Sequence, residues 1–401
     1  MVNRQRWRPA LGALTLAAML LALLAAPAGA SGGSGSTRDP ITPGQVIVRL
    51  RDAADLPALA TQYSLDQMPI DQLTIAPVFL MRIADGTSPD LRAAALAADS
   101  RVQYAEPNVV GSSAEDQSEN SWSSGGSAAT FEGQWAPTVM RLPQAFRVTR
   151  GAGVTVAVLD TGVDTTHPEL ASHLIGGYDF VDNDSDPSEV GVAGVDRAYG
   201  HGTFVSGLVA LAAPDARIMP VRVLDPNGMG DVWRLAKSMV WAAANGADVI
   251  NLSLGTYTRT HVANELISDL AANGRGIVVV AAAGNAASNI PQFPAGEGGS
   301  RVLSVAATTP VDTLATFSDF GSWVDAAAPG VSVWSTVPGG QYATWSGTSM
   351  ATGLASGEAA LVRAAYPSFS AQSVIARIAN TAKKISGPVP LRIDAGASVG
   401  Q

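Results

Sequence analysis

The chain has 401 residues and a formal net charge of −9, with 15% charged residues against 47% hydrophobic ones. That is too long for one ordinary core, so at least two units are expected, and too apolar for a disordered chain. Lack of a basic cluster beyond the first few residues argues against nucleic acid as a partner, and lack of cysteine excludes disulfides, thiolate zinc sites and a cysteine nucleophile.

Arg4, Arg6 and Arg8 precede an apolar run from Leu11 to Ala26 that ends in Pro27-Ala28-Gly29-Ala30. This order predicts a secretory signal peptide over residues 1–30, cut after Ala30, and hence a secreted protein. A membrane anchor is the alternative, but the run is shorter than the ~20 residues a span needs, and no later segment reads as membrane-spanning. Ser31 to Ser36 is a Gly/Ser link.

Residues 41–110 read as a small domain. Gln45–Leu50 alternates as a strand, Ala53–Tyr63 has helical spacing, Pro77–Ile83 is a strand, Leu91–Ala98 a helix and Val102–Glu106 a last strand. The β-α-β-α-β order predicts an α+β ferredoxin-like module. Residues 111–133 are polar, with little to bury, and read as a linker.

From Gln134 to Gln401 strands alternate with helices. Strands are predicted over Val154–Leu159, Arg217–Val223, Asp248–Leu252, Ile277–Ala282 and Val302–Ala306. Helices are predicted over Gly202–Ala212, Asp231–Asn245, Val262–Asn273, Met350–Ala365 and Ala371–Thr381. Near-continuous apolar strands separated by helices imply an α/β fold with a mostly parallel sheet covered on both faces.

Three short motifs carry the chemistry. Asp160 directly follows an apolar strand and opens Asp160-Thr161-Gly162, at the strand's carboxyl end, where ligand sites form in open α/β sheets. His201 lies between Gly200 and Gly202 at the start of an apolar helix, whereas His167 reads as a structural loop residue and His261 as surface. Ser349 stands in Gly347-Thr348-Ser349-Met350-Ala351 at a helix start, where unpaired N–H groups favour negative charge. A serine needs a base, usually a histidine oriented by a carboxylate, and the chain supplies both upstream. An isolated Asp-Thr-Gly would read as an ordinary turn, but the order Asp, His, Ser is that of subtilisin.

With these motifs and their surroundings the chain resembles the subtilisin family (subtilases, peptidase S8), and residues 101–108 resemble the end of subtilase propeptides of the inhibitor I9 type. The resemblance implies a subtilisin-like three-layer fold preceded by the propeptide domain, and a serine endopeptidase made as an autoprocessed preproprotein. It implies a triad of Asp160, His201 and Ser349, with the Asn285 amide and the Ser349 N–H holding the oxyanion. It also implies that Ser253, Leu254 and Gly255 face Gly228, Met229 and Gly230 across the cleft and hold substrate as an added strand. The partners expected are polypeptide substrates and the chain's own propeptide, as inhibitor and chaperone, with no nucleic acid and no stable membrane anchor, in a monomer. Self-cleavage is expected between Asn108 and Gln134.

The chain departs from the family pattern in places. Phe204 stands where many members have His, and Gly353 where most have Pro; the glycine could loosen the helix that carries Ser349. A catalytically impaired homologue that binds peptides is therefore the alternative. No cofactor is needed for the chemistry. Asp179, Asp182, Asp184, Asp186 and Glu189 form an acidic cluster, but Pro187 and Ala193 break an EF-hand pattern, so the cluster reads as a solvated loop and no metal ligand is assigned. Structural calcium is left as an option rather than an expectation.

Overall fold

The computed structural model describes residues 39–117 and 123–401. The expected signal peptide lies outside them. Among the described residues no helix is long and apolar enough to cross a membrane.

The first part is built from β1 (Ile41–Leu50), α1 (Leu56–Gln62), β2 (Val78–Arg82), α2 (Pro89–Ala97) and β3 (Val102–Ser113). A two-residue strand, Asp71–Gln72, adds a fourth sheet member that the hydrophobic pattern is too short to signal. The order β3-β1-β2-(71–72), all antiparallel, is that of a ferredoxin-like sheet. Val46, Val48 and Leu50 point from β1 into a core with Leu59, Met81 and Leu96, as the two-residue period of a strand requires. Ser88 caps α2 through the Leu91 N–H, with Pro89 at the first helical position.

The second part holds the large sheet. Its central strands are β4 (Thr155–Asp160), β5 (Arg217–Arg222), β7 (Val249–Leu252), β9 (Val278–Ala282), β10 (Val302–Thr308) and β11 (Ala326–Pro329). They are parallel, in the order β11-β10-β9-β7-β4-β5. The chain runs outward from β4 to β5 and then returns to β7, so the order reverses between β4 and β7, and a crevice opens at their carboxyl ends. The two short edges, β6 (Met229–Asp231) and β8 (Leu254–Gly255), flank that crevice. A hairpin, β12 (Val333–Val337) with β13 (Gln341–Trp345), completes the strands that matter for the site.

Val156 and Val158 face one side of the sheet, where α3 (His201–Ala212) and α6 (Thr348–Ala365) pack. Ala157 and Leu159 face the other, where α4 (Val232–Ala244) and α5 (His261–Ala272) pack. α7 (Ala371–Thr381) closes the first layer. α6 runs unbroken for 18 residues through Gly353. A Cβ there would stand 3.1 Å from the Val205 carbonyl oxygen and 3.2 Å from Leu208 Cβ, so the missing side chain lets α3 and α6 touch.

Beyond Glu106 the reading and the structure diverge. The stretch read as linker from 111 begins inside β3, which continues to Ser113, and Ala128–Glu132 forms a short helix with Phe131 buried. Those residues have few apolar side chains, and β3 is held there by main-chain bonds to β6 and β8 that composition cannot report.

Candidate active site

Asp160 is the last residue of β4 and is buried; its Oδ1 accepts from the Thr161 N–H at 2.8 Å. The same oxygen lies 2.6 Å from Nδ1 of His201, the first residue of α3. Gly200 precedes it at φ 90°, the left-handed region that glycine enters at least cost. Trp345, from β13, stands edge-on to the imidazole with centroids 5.5 Å apart, and Phe204 packs edge-on to the same indole at 5.6 Å.

Ser349 is the second residue of α6 and is buried. Asn285 follows β9. Its Oδ1 accepts from the Thr348 N–H and hydroxyl, both at 3.0 Å, which turns its Nδ2 toward the cleft. There Nδ2 donates to the Ala114 carbonyl at 2.9 Å and to Glu115 Oε1 at 3.2 Å.

Glu115 is the residue the sequence reading passed over. Its Oε2 accepts from Ser349 Oγ at 2.6 Å and lies 2.7 Å from His201 Nε2, so the carboxylate bridges serine and histidine. Its Oε1 accepts from the Ser349 N–H at 3.3 Å. Burial alone would lower the His201 pKa, but the Asp160 and Glu115 carboxylates outweigh it and raise it well above the ordinary imidazole value. Burial raises the Glu115 carboxyl, and its pairing with His201, Ser349 and Asn285 overrides that and lowers it.

The other expected site residues surround β3. Gly111 and Ser112 pair with Gly230 and Met229, while Ser112 and Ser113 pair with Gly255 and Leu254. The Ser113 N–H donates to the Gly228 carbonyl at 2.8 Å, and the Ala114 N–H to the Ser253 carbonyl at 3.3 Å. The chain's own strand thus lies between both predicted edges. Gln292 is buried beside Gly255 and Gly284 and donates to Asp319 Oδ2 at 3.1 Å. Burial outweighs the N–H bonds Asp319 receives from Ser288 and Ala286 and raises its pKa to about 6.

Glu189 leaves the acidic cluster entirely. It accepts from the hydroxyls of Thr161 at 2.6 Å and Thr203 at 2.8 Å, while Thr161 Oγ1 accepts from the Gly202 N–H at 2.9 Å. The turn after Asp160 and the helix start at His201 are tied together through it, and burial raises its pKa. Of the remaining acids, Asp179 and Asp182 each meet Arg222 Nη1 at 2.5 Å. Asp184 and Asp186 accept from nearby main-chain N–H groups. Among the described residues no cluster of three or more His, Asp or Glu gathers as metal ligands.

Comparison with known proteins agrees with this architecture. Residues 151–395 match the model of the subtilase family, peptidase S8, and residues 33–108 that of the fervidolysin N-terminal prodomain. Thermitase of Thermoactinomyces vulgaris is 42% identical over 264 residues, covering 63% of this chain and 90% of that protein. A thermophilic serine proteinase of Bacillus sp. strain AK1 is 40% identical over 298 residues, covering 71% and 69%. Fervidolysin of Fervidobacterium pennivorans superposes with a TM-score of 0.75 at 24% identity, a likeness of fold over 90% of this chain and 61% of that one, less than two thirds of the solved chain. The chain carries a peptidase domain behind an N-terminal prodomain and belongs to the subtilase family of serine proteases.

Proposed function

We propose that the protein is a secreted endopeptidase that processes itself and hydrolyses polypeptides through Asp160, His201 and Ser349. Ser349 Oγ attacks the carbonyl carbon while His201 Nε2 takes its proton. Asp160 holds the Nδ1–H tautomer and stabilises the imidazolium. The Asn285 amide and the Ser349 N–H receive the oxyanion, in a buried site where such donors act more strongly than in water. His201 then protonates the leaving amine and activates the water that releases the acyl group. The observation that carries this reading is the placement of β3. A peptide backbone lies between Gly228–Gly230 and Ser253–Gly255, and its next carbonyl rests on Asn285 beside Ser349.

β-strand addition recognises main chain, which suits a broad range of sequences. The test is the intact mass of the full chain beside its Ser349→Ala variant. Cleavage between Asn108 and Gln134 in the parent alone is expected, together with fluorophosphonate labelling that requires Ser349. Identical cleavage in both, with no label, rejects the reading.

A further inference from the structure

The hydrogen-bond register along the cleft singles out one peptide bond. Ser113 is held by Gly228, Ala114 donates its N–H to Ser253, and the Ala114 carbonyl accepts from Asn285 Nδ2 at 2.9 Å. Past this carbonyl the ladder ends, and Ala114–Gln117 turns into a 3₁₀ helix. No other carbonyl among the described residues of β3 or that turn bonds to Asn285.

The second observation concerns the next side chain. The Glu115 carboxylate occupies the groups that an attack would use: it accepts from Ser349 Oγ and N–H, lies against His201 Nε2, and shares the Asn285 amide with the Ala114 carbonyl, at 2.6 to 3.3 Å. It is buried, and it fits because Gly347 has no side chain: a Cβ there would stand 2.0 Å from Oε1. The charged groups facing it are His201 from α3 and, behind the ring, Asp160 from β4; Ser349, Asn285 and Gly347 complete the lining without charge.

We propose that the chain cuts itself between Ala114 and Glu115, and that the Glu115 carboxylate is a latch that delays this cut. The assignment rests on the hydrolytic reading above. In the step itself Ser349 Oγ bonds to the Ala114 carbonyl carbon and its proton passes to His201. The Ala114–Glu115 C–N bond then breaks, and the proton goes to the Glu115 nitrogen, which becomes a free amine. Water hydrolyses the Ala114 ester and leaves a new carboxylate. Before any of this, the Glu115 side chain must withdraw, because its Oε2 stands between the Ser349 hydroxyl and His201 Nε2 and its Oε1 holds the Ser349 N–H that the oxyanion needs. Withdrawal costs the short bonds to His201 and Ser349, and while the carboxylate stays beside the ring it favours the imidazolium, the form that cannot act as base.

The full chain, refolded from denaturant and followed by intact mass over time, tests both parts. The first products expected are one fragment ending at Ala114 and one beginning at Glu115; an earliest product ending at any other residue overturns the bond assignment. Glu115→Gln and Glu115→Ala should be cut at the same bond about 10-fold faster near neutral pH, the worth of about one such bond. Their rate–pH midpoint should also lie lower, because His201 then faces one carboxylate instead of two. Equal or slower rates in both variants, with an unmoved midpoint, overturn the latch. If parent and variants all stay whole and no fluorophosphonate reaches Ser349, the hydrolytic reading itself has failed; a labelled Ser349 with a different first cut rejects only the bond.

Discussion

At the level of single residues, the chemistry is held by groups that do none of it. Asn285 can present its amide hydrogens only because Thr348 fills its Oδ1 from both main chain and hydroxyl. Asn285→Ala should lower kcat by about 100- to 1000-fold, a figure that comes from subtilisin itself. Thr348→Val, which keeps the N–H and removes the hydroxyl, should cost roughly 3- to 10-fold in kcat at unchanged KM. Steady-state kinetics on an Asn285→Ala background checks the route: there the valine should cost nothing further, because the group it positions is gone. Additive losses would place Thr348 outside this chain of contacts.

At the level of elements, α6 carries Ser349 at one end and a buried carboxylate, Glu358, further along. Neither Glu358 oxygen has a hydrogen-bond partner, and the Ser398 hydroxyl nearby donates instead to the Ala395 carbonyl at 3.0 Å. Burial raises its pKa to about 8, against an ordinary 4.5. A carboxyl raised on folding is protonated in both states below about pH 4.5 and then ionises first in the unfolded chain. The contribution of Glu358 to stability is therefore expected to fall between about pH 4.5 and 8, by on the order of a few kcal/mol. Glu358→Gln on a Ser349→Ala background should flatten that part of the thermal-midpoint profile, its advantage over the parent growing up to about pH 8. Parallel profiles would show that Glu358 does not titrate in this window.

The elements also show what could be read in advance. α3, α4, α5, α6 and α7 lie within two residues of their predicted ends, because each carries its own apolar period and boundary residues. The strand Ala326–Pro329 and the hairpin that brings Trp345 to His201 have no such local signature. Asp160, His201 and Ser349 can be proposed from the sequence because each sits in a short motif at an element's end. Glu115, Glu189 and Thr348 act through partners tens to hundreds of positions away, and no local pattern announces that.

In the molecule as a whole, the prodomain is fastened where helices of the peptidase domain begin. Glu106 accepts from the His261 and Val262 N–H groups at the start of α5, at 2.6 and 2.9 Å. Asn108 Oδ1 accepts from the Trp233 N–H at the start of α4, and Asp71 pairs with Lys237 at 2.6 Å. A carboxylate on such a helix start is worth about 1–2 kcal/mol. Glu106→Ala should therefore shorten the lag between self-cleavage and peptide hydrolysis by roughly 5- to 30-fold. A fluorogenic peptide in the processing reaction measures it, and an unchanged lag would mean that release is limited elsewhere.

β3 belongs to two sheets at once, pairing with β1 in the prodomain and with β6 and β8 in the peptidase. A cut behind Ala114 severs a tether and removes none of these pairings. What changes is the statistics of rebinding: a neighbour held at millimolar effective concentration becomes an ordinary solute. Onset of activity then depends on dilution. If the proposed cut is made, a concentrated solution is expected to return the severed strand to its groove, and dilution to free the active site.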